Sequence, residues 1–234
     1  MHTKTELLIG QEERSKLQNS HVLIVGLGGV GGYAAEQLCR AGVGKLTLVD
    51  DDTVNQTNIN RQLIADYSSI GKGKAKLFKE RFLKINPEMV VHLSQVFLTD
   101  DDSLKLLKEN RFDYVVDAID TLRPKVNLIQ SCVSENIKLV SSMGAGGKMN
   151  PEMVQVADIS KTYNDGLARM LRKKLHKLGL YEGFSTVFSP EDIPKHAMVQ
   201  KLERNKKTQV GTISYMPAIF GIYCASVVIR DLIK

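Results

Sequence analysis

Residues 22–38 read VLIVGLGGVGGYAAEQL, and this stretch decides the fold. The run VLIV at 22–25 is short and apolar, as is typical of a buried strand. The glycines at 26–32 allow a tight turn. Apolar residues then recur at helical spacing, at Val30, Ala34 and Leu38. The stretch therefore predicts a strand, a turn and a helix in succession.

Short apolar runs alternate with segments of helical period along the first two thirds of the chain. Further strands are predicted at 46–49, 90–96, 114–116 and 138–141, and further helices at 74–85, 103–109 and 124–135. Such alternation is typical of a parallel sheet covered by helices. The predicted fold class is α/β, a Rossmann-like and mostly parallel sheet with helices on both faces and a basic C-terminal extension.

The character of the sequence changes after the glycine-rich run at 144–147. A strand is predicted at 153–156 and a basic helix at 166–178. Residues 181–207 carry two prolines and few periodic apolar residues, so this stretch is predicted to be a loop or a partly mobile insertion. From residue 209 the chain is expected to return to ordered core.

Glycines shape the turn GLGGVG at 26–31, which follows the first strand and opens the first predicted helix. Glycine lets the backbone approach phosphate oxygens closely, and the start of a helix offers unpaired amides and a positive dipole end. Asp50 ends the second strand, where a carboxylate accepts hydrogen bonds from ribose hydroxyl groups. An adenine nucleotide, either ATP or NAD, is thus predicted to bind at Gly26, Gly28, Gly29, Gly31 and Asp50.

Four polar residues follow this carboxylate: Asn58, Arg61, Gln62 and Lys74. A dinucleotide needs no such set, whereas a triphosphate that is attacked at its α-phosphorus develops negative charge that cations stabilise. Arg61 offers a forked donor and Lys74 a compact charge. We therefore predict that all four residues bind the phosphate chain of ATP and that Arg61 and Lys74 are catalytic.

The run DAID at 117–120 follows an apolar strand, at the sheet edge where ligands bind in this architecture. Asp120 is placed to hold Mg²⁺ that bridges phosphate oxygens, and it is predicted to be the metal ligand and a third catalytic residue. Because Asp120 also comes shortly before Pro124, a helix-capping role stays open. Asp117 is predicted to be structural.

Excess positive charge is confined to one segment of the chain. The net charge is +6, and residues 161–207 hold eleven Lys and Arg against five Asp and Glu, while the remainder is balanced. A polyanion such as nucleic acid would bind such a segment, but a solvated helical face would have the same composition. Charge alone leaves both interpretations open.

Cysteine usage and hydropathy limit the class of protein. No C-x-x-C pair occurs, so a zinc site of the usual spacing is not expected. The three cysteines are predicted to be buried structural thiols: Cys39, Cys132 and Cys224. The apolar stretch at 215–233 carries Pro217 near its start and Asp231 near its end, which favours a buried C-terminal helix over membrane insertion.

Length and the opening residues bear on domain organisation and location. A chain of 234 residues suits one substantial core. We expect a single adenylating domain over 1–234, with a nucleotide-binding core at 1–145 and a substrate-facing extension with a C-terminal helix at 146–234. The opening residues lack the features of a secretory signal, which favours the cytoplasm.

The first 145 residues resemble the family of the ubiquitin-activating enzymes and the bacterial molybdopterin and thiamine adenylating proteins. The resemblance rests on GLGGVGG, LVDDDTVNQTNINRQ, GKGKA, KINPE and DAID, in that order. It implies that ATP and Mg²⁺ are bound by the residues identified above. In the family, the matching residues hold the phosphates, the ribose, the phosphate chain and the metal: Gly28 and Gly29, Asp50, Asn58 with Arg61 and Lys74, and Asp120.

Within this superfamily, SSMGAGGKMNPEMVQVADISKTYNDGLARMLRKKL at 141–175 resembles the tRNA threonylcarbamoyladenosine dehydratases, as does SYMPAIFGIYCASVVIRDLI at 214–233. The resemblance implies tRNA as a partner, a homodimer and a possible sulfur-transfer protein partner. Lys4 stands where family members often carry an arginine thought to reach the ATP site of the other subunit. The predicted tRNA contacts are Lys161, Arg169, Arg172, Lys173 and Lys174.

The expected reaction starts with adenylation of the carboxylate of a threonylcarbamoyl group on tRNA. The carbamoyl of the same group would then attack the activated carbon, release AMP and close a ring. No protein nucleophile is needed, in keeping with the absence of cysteine between Cys132 and Cys224. Two alternatives stay open: an activator of a ubiquitin-like or sulfur-carrier protein, and an NAD-binding protein that uses only the glycine turn and Asp50.

Overall fold

The computed structural model describes residues 2–94, 102–203 and 206–234, with backbone alone for 200–203 and 206–209. The strands in these ranges are β1 (His21–Val25), β2 (Lys45–Val49), β3 (Val90–Ser94), β4 (Tyr114–Asp117), β5 (Leu139–Ser142), β6 (Gln155–Asp158), β7 (Ser185–Phe188), β8 (Met198–Glu203) and β9 (Lys206–Val210). The helices are α1 (Thr3–Ile9), α2 (Gln11–Asn19), α3 (Gly31–Ala41), α4 (Lys74–Ile85), α5 (Asp102–Glu109), α6 (Leu122–Ser134), α7 (Gly166–His176) and α8 (Tyr215–Leu232).

Seven of the described strands form one sheet, in the order β3-β2-β1-β4-β5-β7-β6. Neighbouring strands are parallel except β6, which runs antiparallel to β7. The strand order reverses between β1 and β4, so the loops that follow these two strands diverge and leave a crevice at the carboxyl edge of the sheet. The predicted α/β class with a mostly parallel sheet is confirmed.

Helices cover both faces of this sheet, as predicted. On one face α2, α3, α4 and α8 enclose a core that includes Phe78 and Phe220. On the other face α5, α6 and α7 enclose a second core that includes Ile129 and Leu171. Both faces of the central strands are therefore dry, which suits their continuous apolar runs.

Helix α8 packs along α3 and against β5. The two helices approach so closely that a Cβ on Gly221 would collide with the carbonyl oxygen of Val30. One side of α8 is buried, including Met216, Phe220 and Cys224. The helix is also long and apolar enough to cross a membrane, with a mean hydropathy of 1.3, and 44% of it is buried in the fold. The predicted buried C-terminal helix is confirmed on this side.

The cysteines are free and buried, as predicted. Burial raises the pKa of the Cys39 thiol to about 12, and burial likewise raises the pKa of Cys224 to about 12. Since the thiolate is the reactive form, these side chains act as small apolar groups in the core.

The predicted loop at 181–207 is wrong over part of its length. Strand β7 lies within it, between β5 and β6 in the sheet, and Thr186, Val187 and Phe188 are buried. A four-residue strand that is buried on both faces shows no alternation of apolar and polar residues. The two prolines that suggested a loop, Pro190 and Pro194, lie beyond the end of this strand.

Other boundaries shift by a few residues. The strand predicted at 153–156 begins at Gln155, because a 3₁₀ turn occupies Pro151–Met153. The helix predicted at 166–178 ends at His176. The strand predicted at 90–96 reaches Ser94, and its last two predicted residues lie outside the described residues.

The sheet draws strands from both parts of the predicted domain. Strands β1 to β5 come from residues 1–145, and β6 and β7 come from 146–234. Hydrogen bonds between β5 and β7 join the two parts directly. The assignment of nucleotide binding to the first part and substrate binding to the second stays a prediction.

A buried ion pair closes the carboxyl end of β4. Lys125 Nζ lies 2.6 Å from Asp117 Oδ2, and both side chains are fully buried. Ser141 Oγ donates to the same carboxylate oxygen at 2.6 Å, and the Ile119 amide donates to Asp117 Oδ1 at 3.1 Å. The network fixes the start of the loop after β4 to β5 and α6, which is the structural role predicted for Asp117.

We expect Lys125→Ala to lower the free energy of unfolding by about 3–5 kcal/mol, because Asp117 is then left buried without its cation. Urea denaturation followed by circular dichroism measures the change. Lys105→Ala is the matched control, since Lys105 pairs with Glu109 on an exposed part of α5 and such pairs contribute about 0.2–1 kcal/mol. A loss for Lys125→Ala no larger than that of the control would contradict this role of the ion pair.

Candidate functional site

The glycine turn, Gly26–Gly31, joins β1 to α3 inside the crevice. Gly26 has a φ of +90°, and a Cβ there would come 2.8 Å from the carbonyl oxygen of Ala118. A Cβ on Gly31 would collide with the carbonyl oxygen of Gly26. Both positions therefore require glycine, since the backbone of the turn lies directly against the loop that follows β4.

Helix α3 starts at this turn with Val30 as its N-cap, and no described side chain caps it. The first amides of a helix have no partner within the helix, and the helix dipole adds positive potential at the same end. The turn and the helix start can therefore receive an anionic group such as a phosphate.

Asp50 follows the end of β2 and ties the glycine turn to that strand. Its Oδ2 accepts a hydrogen bond from the Leu27 amide at 2.6 Å, and its Oδ1 accepts one from the Asp52 amide at 2.9 Å. Burial raises the pKa of the Asp50 carboxyl group, and the positive charge of Lys74 opposes that effect. The carboxylate thus orders the turn before any ligand binds.

Lys74 is the first residue of α4 and is only 4% exposed. Its Nζ donates to Asp52 Oδ2 at 2.7 Å, although Asp52 itself lies at the surface. Lys74 is a predicted site residue, whereas its partner Asp52 was not predicted, although the acidic run at 50–52 was its signal in the sequence. The ammonium group is therefore held at the carboxyl end of β2, beside Asp50.

Arg61 and Gln62 lie against the glycine turn. A Cβ on Gly29 would come 3.4 Å from Arg61 Cγ, and one on Gly28 would come 3.8 Å from Gln62 Nε2. Burial lowers the pKa of Arg61, and the negative charge of Asp120 opposes that effect. The structure thus brings together these predicted residues, which come from three separate loops.

The hydrogen bonds of Arg61 and Gln62 differ. Arg61 Nη1 donates to the Thr57 carbonyl oxygen at 2.8 Å and to Asn60 Oδ1 at 2.9 Å. Gln62 is 7% exposed, and its Oε1 has no partner among the described residues. A buried amide oxygen without a partner is costly, so this position is suited to a bound ligand.

Asn58 has a role that sequence reasoning did not identify. Its Oδ1 accepts a hydrogen bond from the Asn55 amide at 3.0 Å, and the Asn55 side chain accepts one from Thr57 in return. The pair forms a capping box on the short helical turn Gln56–Asn58. Asn58 therefore shapes the segment that carries Arg61, and its predicted contact with phosphate stays a prediction.

Asp120 lies in the loop after β4, on the other side of the crevice. Its side chain is exposed, and its charge acts on Arg61. The residue at the N-cap position of α6 is Thr121, directly after Asp120, and the capping role that the sequence left open for Asp120 stays open. Metal binding by Asp120 stays a prediction.

A second group of carboxylates lies near the crevice. Oxygens of Asp50, Asp51 and Asp52 lie within 4.8 Å of one another. Lys74 pairs with one of them, and Asp50 is engaged by two backbone amides. These contacts account for much of the cluster without a metal ion.

The predicted tRNA-binding residues lie apart from the glycine turn, on α7 and the short turn before it. Helix α7 packs on α6. Its N-cap, Asp165, interacts electrostatically with Lys148, just after the glycine run at 144–147. Arg172 is half-buried and donates to the Thr162 hydroxyl group. The exposed members of the set are Lys161, Arg169, Lys173 and Lys174.

A polar latch beside this helix, formed by Lys148, Met149, Asn150 and Glu191, was not predicted from the sequence. Lys148 is 2% exposed, and its Nζ donates to the carbonyl oxygen of Glu191. The Glu191 carboxylate accepts hydrogen bonds from the amides of Met149 and Asn150 at 2.9 Å. The latch fixes the loop after β5 to the loop after β7. The motif GAGGK was visible in the sequence, but its partner lay 43 residues further along.

Known proteins resemble this chain over its whole length. The ThiF family model matches residues 3–234. The tRNA threonylcarbamoyladenosine dehydratase of Bacillus subtilis is 39% identical over 99% of this chain and 94% of that protein, and its Escherichia coli counterpart is 36% identical over 97% and 91%. The crystal structure of E. coli tRNA N6-threonylcarbamoyladenosine dehydratase in complex with ATP has a TM-score of 0.89 and 35% identity, and covers 98% of this chain and 92% of that chain.

We expect the affinity for ATP to fall as the pH is lowered. The fall should begin at a higher pH than it would if Asp50 had the pKa of an ordinary aspartate. Burial raises the pKa of Asp50, so this group takes up a proton above the usual value of about 3.9. The protonated group no longer offers a carboxylate to the Leu27 amide. Calorimetric titration with Mg-ATP at several pH values measures the effect.

Asp50→Asn is the control, because its amide does not titrate and the ionisation of ATP itself is common to both proteins. After that common part is subtracted, the variant should bind more weakly than the wild type but independently of pH. Parallel pH profiles for the two proteins would contradict the role given to Asp50.

Proposed function

The chain belongs to the ThiF family, and we propose that it is an ATP-dependent tRNA threonylcarbamoyladenosine dehydratase that acts by adenylating a carboxylate. One observation carries the proposal. Two cations, Arg61 and Lys74, lie near the glycine turn. The turn is hydrogen-bonded to Asp50, the carboxylate at the position that binds ribose in this architecture. The likeness to the B. subtilis dehydratase covers 99% of this chain, whereas the likeness to the E. coli molybdopterin-synthase adenylyltransferase covers 67% of it.

ATP is proposed to bind along the glycine turn. Gly28 and Gly29 would face the phosphates, while Gly26 and Gly31 shape the backbone that approaches them. Each oxygen of Asp50 has two lone pairs, and the described hydrogen bonds use one on each. The remaining lone pairs can accept the ribose hydroxyl groups, so ordering the turn and binding the sugar do not compete.

The phosphate chain is proposed to lie between Arg61 and Lys74. The described hydrogen bonds of Arg61 use Nη1, and the guanidinium group has further N–H donors for phosphate oxygens. Lys74 is held by Asp52 until an incoming phosphate shares its charge. Gln62 offers a buried amide on the same wall, and rotation of that amide would present donors instead of an oxygen.

Mg²⁺ is proposed to be held by Asp120 together with phosphate oxygens. A carboxylate and phosphate oxygens are the ligand types that this ion prefers. When bound, the ion neutralises charge that develops on the departing pyrophosphate. Asp120 lies near enough to Arg61 for its charge to act on the guanidinium group, so an ion held there and Arg61 would both act on the phosphate chain.

The proposed reaction has two steps. A carboxylate oxygen of the threonylcarbamoyl group attacks the α-phosphorus, forming an acyl adenylate and releasing pyrophosphate. An atom of the carbamoyl group then attacks the acyl carbon, loses its proton and expels AMP, which carries away the carboxylate oxygen. The balance is loss of water from the nucleoside. Since the nucleophile is part of the substrate, the reaction needs no reactive cysteine, and the three buried thiols can be purely structural.

The tRNA is proposed to contact the exposed cations of α7 and of the turn before it. These residues are Lys161, Arg169, Lys173 and Lys174. Arg172 is proposed to contribute mainly by fixing Thr162 to the helix, because its guanidinium group is half-buried in that contact. The glycine run at 144–147 and Lys148 connect this surface to the crevice.

We further propose a cytoplasmic homodimer. Helix α1 exposes Leu7 and Leu8, which are 77% and 84% exposed, and subunit interfaces cover apolar surface of this kind. Lys4 on the same helix would bring a single charge, rather than a forked donor, to the ATP site of the other subunit. A sulfur-transfer protein partner is proposed from the family resemblance alone.

We expect the protein to release pyrophosphate from Mg-ATP only with tRNA that carries the threonylcarbamoyl group, because the attacking carboxylate belongs to that group. A coupled pyrophosphate assay with modified and unmodified tRNA measures this. Release that requires a ubiquitin-like carrier protein, or preferential binding of NAD with no release at all, would overturn the proposal in favour of one of the two alternatives.

Variants in the same assay test the proposed roles of the cations. Arg61→Ala and Lys74→Ala should each lower the rate at least roughly a hundredfold, as loss of a preorganised charge at a transition state commonly does. Arg111→Ala serves as the control, since Arg111 is exposed at the opposite edge of the sheet. Near-normal rates in both cation variants would contradict the assignment.

A further inference from the structure

Strands β8 and β9 form a two-stranded antiparallel ribbon that is separate from the main sheet. Its register pairs Met198 with Val210 and Glu203 with Lys206, with an irregularity between Gln200 and Glu203. Among the described elements, each of these strands makes its extensive contacts only with the other. The ribbon is therefore an arm that adds little to either core.

The base of the ribbon is fixed to the loops that form the crevice. The Gly211 amide donates to the Ala197 carbonyl oxygen at 2.8 Å, and the Gly147 amide donates to the Gly211 carbonyl oxygen at 2.8 Å. Asn60 Nδ2, next to Arg61, donates to the carbonyl oxygen of Thr212 at 2.9 Å. The arm thus starts at the carboxyl edge of the sheet, beside the proposed ATP site.

Positive charge is concentrated on this arm. Lys195 is exposed just before β8, Lys201 lies within β8, and Lys206 and Lys207 begin β9. Glu203 is the one acidic residue of the two described strands. The two described strands thus hold three lysines against one glutamate.

The ribbon and α7 are each anchored to the loop after β5, at two consecutive residues of that loop. Gly147 binds the base of the ribbon, and Lys148 interacts with Asp165, which caps α7. The two basic elements therefore flank the loop after β5. A six-residue strand spans about 20 Å, so the arm is long enough to follow several phosphates of an RNA strand.

We propose that the β8–β9 ribbon is a second RNA-contacting arm, which binds the phosphate backbone of the tRNA next to the target nucleoside. The inference rests on the proposed function and names a contact surface beyond α7. β-Ribbons are an established form for contacting nucleic acid, and lysine contacts with phosphates release counterions, which makes affinity depend on salt. The chemistry recognised is the sugar–phosphate chain and not a base.

The test compares three charge-reversed variants of the full chain. The ribbon variant is Lys206→Glu with Lys207→Glu. The α7 variant is Lys173→Glu with Lys174→Glu. The control is Lys84→Glu with Arg111→Glu, which makes the same change of charge at exposed positions on the opposite edge of the sheet. Affinity for modified tRNA and for the isolated stem-loop that carries the target nucleoside is measured at several salt concentrations.

The ribbon variant should bind both RNAs at least about tenfold more weakly, and the negative slope of log affinity against log salt should become shallower by at least about 0.7. Its affinity for Mg-ATP and its rate at saturating tRNA should stay within twofold of the wild type, whereas KM for tRNA should rise. The control should change RNA affinity by less than twofold. Circular dichroism verifies that each variant is folded.

A ribbon variant that matches the control in affinity and salt slope, while the α7 variant loses both, would overturn the proposal and leave α7 as the RNA surface. A ribbon variant that loses activity at saturating tRNA would also overturn it, since the arm would then act on the reaction itself. Binding is measured without turnover, so this result is independent of pyrophosphate release, which tests the proposed function.

Discussion

The double hydrogen bond from backbone amides to Asp50 is the interaction on which the candidate site depends. The bond from the Leu27 amide joins the glycine turn after β1 to Asp50 at the end of the neighbouring strand β2, beside the point where the strand order reverses. The turn, with its backbone against Ala118, cannot shift without breaking these bonds. The position of the start of α3, and hence of its unpaired amides, follows from that constraint.

Electrostatics around the crevice are arranged for a ligand with several negative charges. Lys74 is nearly buried, and the carboxylate that pairs with it, on Asp52, is exposed. Burial against the glycine turn lowers the pKa of Arg61, and the negative charge of Asp120 opposes that decrease. Lys74 is therefore held by an acidic residue at the rim of the site, and Arg61 is held by Thr57 and Asn60 while the charge of Asp120 acts on it.

The sequence was sufficient to predict the strand–turn–helix unit, because its conformation depends on residues close together in the chain. It also predicted that Asp50, Arg61 and Lys74 act at one site, because these charged residues follow the glycine turn in a characteristic order. It failed for β7, since a four-residue strand buried on both faces has no periodicity to detect. It also missed the hydrogen bonds of Lys148 and of Arg172. Those partners are brought close by tertiary packing, and no local pattern indicates them.

The central claim is that a substrate carboxylate attacks the α-phosphorus of ATP. The most direct test uses tRNA whose threonylcarbamoyl carboxylate carries ¹⁸O, followed by mass spectrometry of the released nucleotide and phosphates. Adenylation transfers one labelled oxygen to AMP, whereas inorganic phosphate and pyrophosphate stay unlabelled. Label in inorganic phosphate together with release of ADP would show attack at the γ-phosphorus, and it would contradict the account.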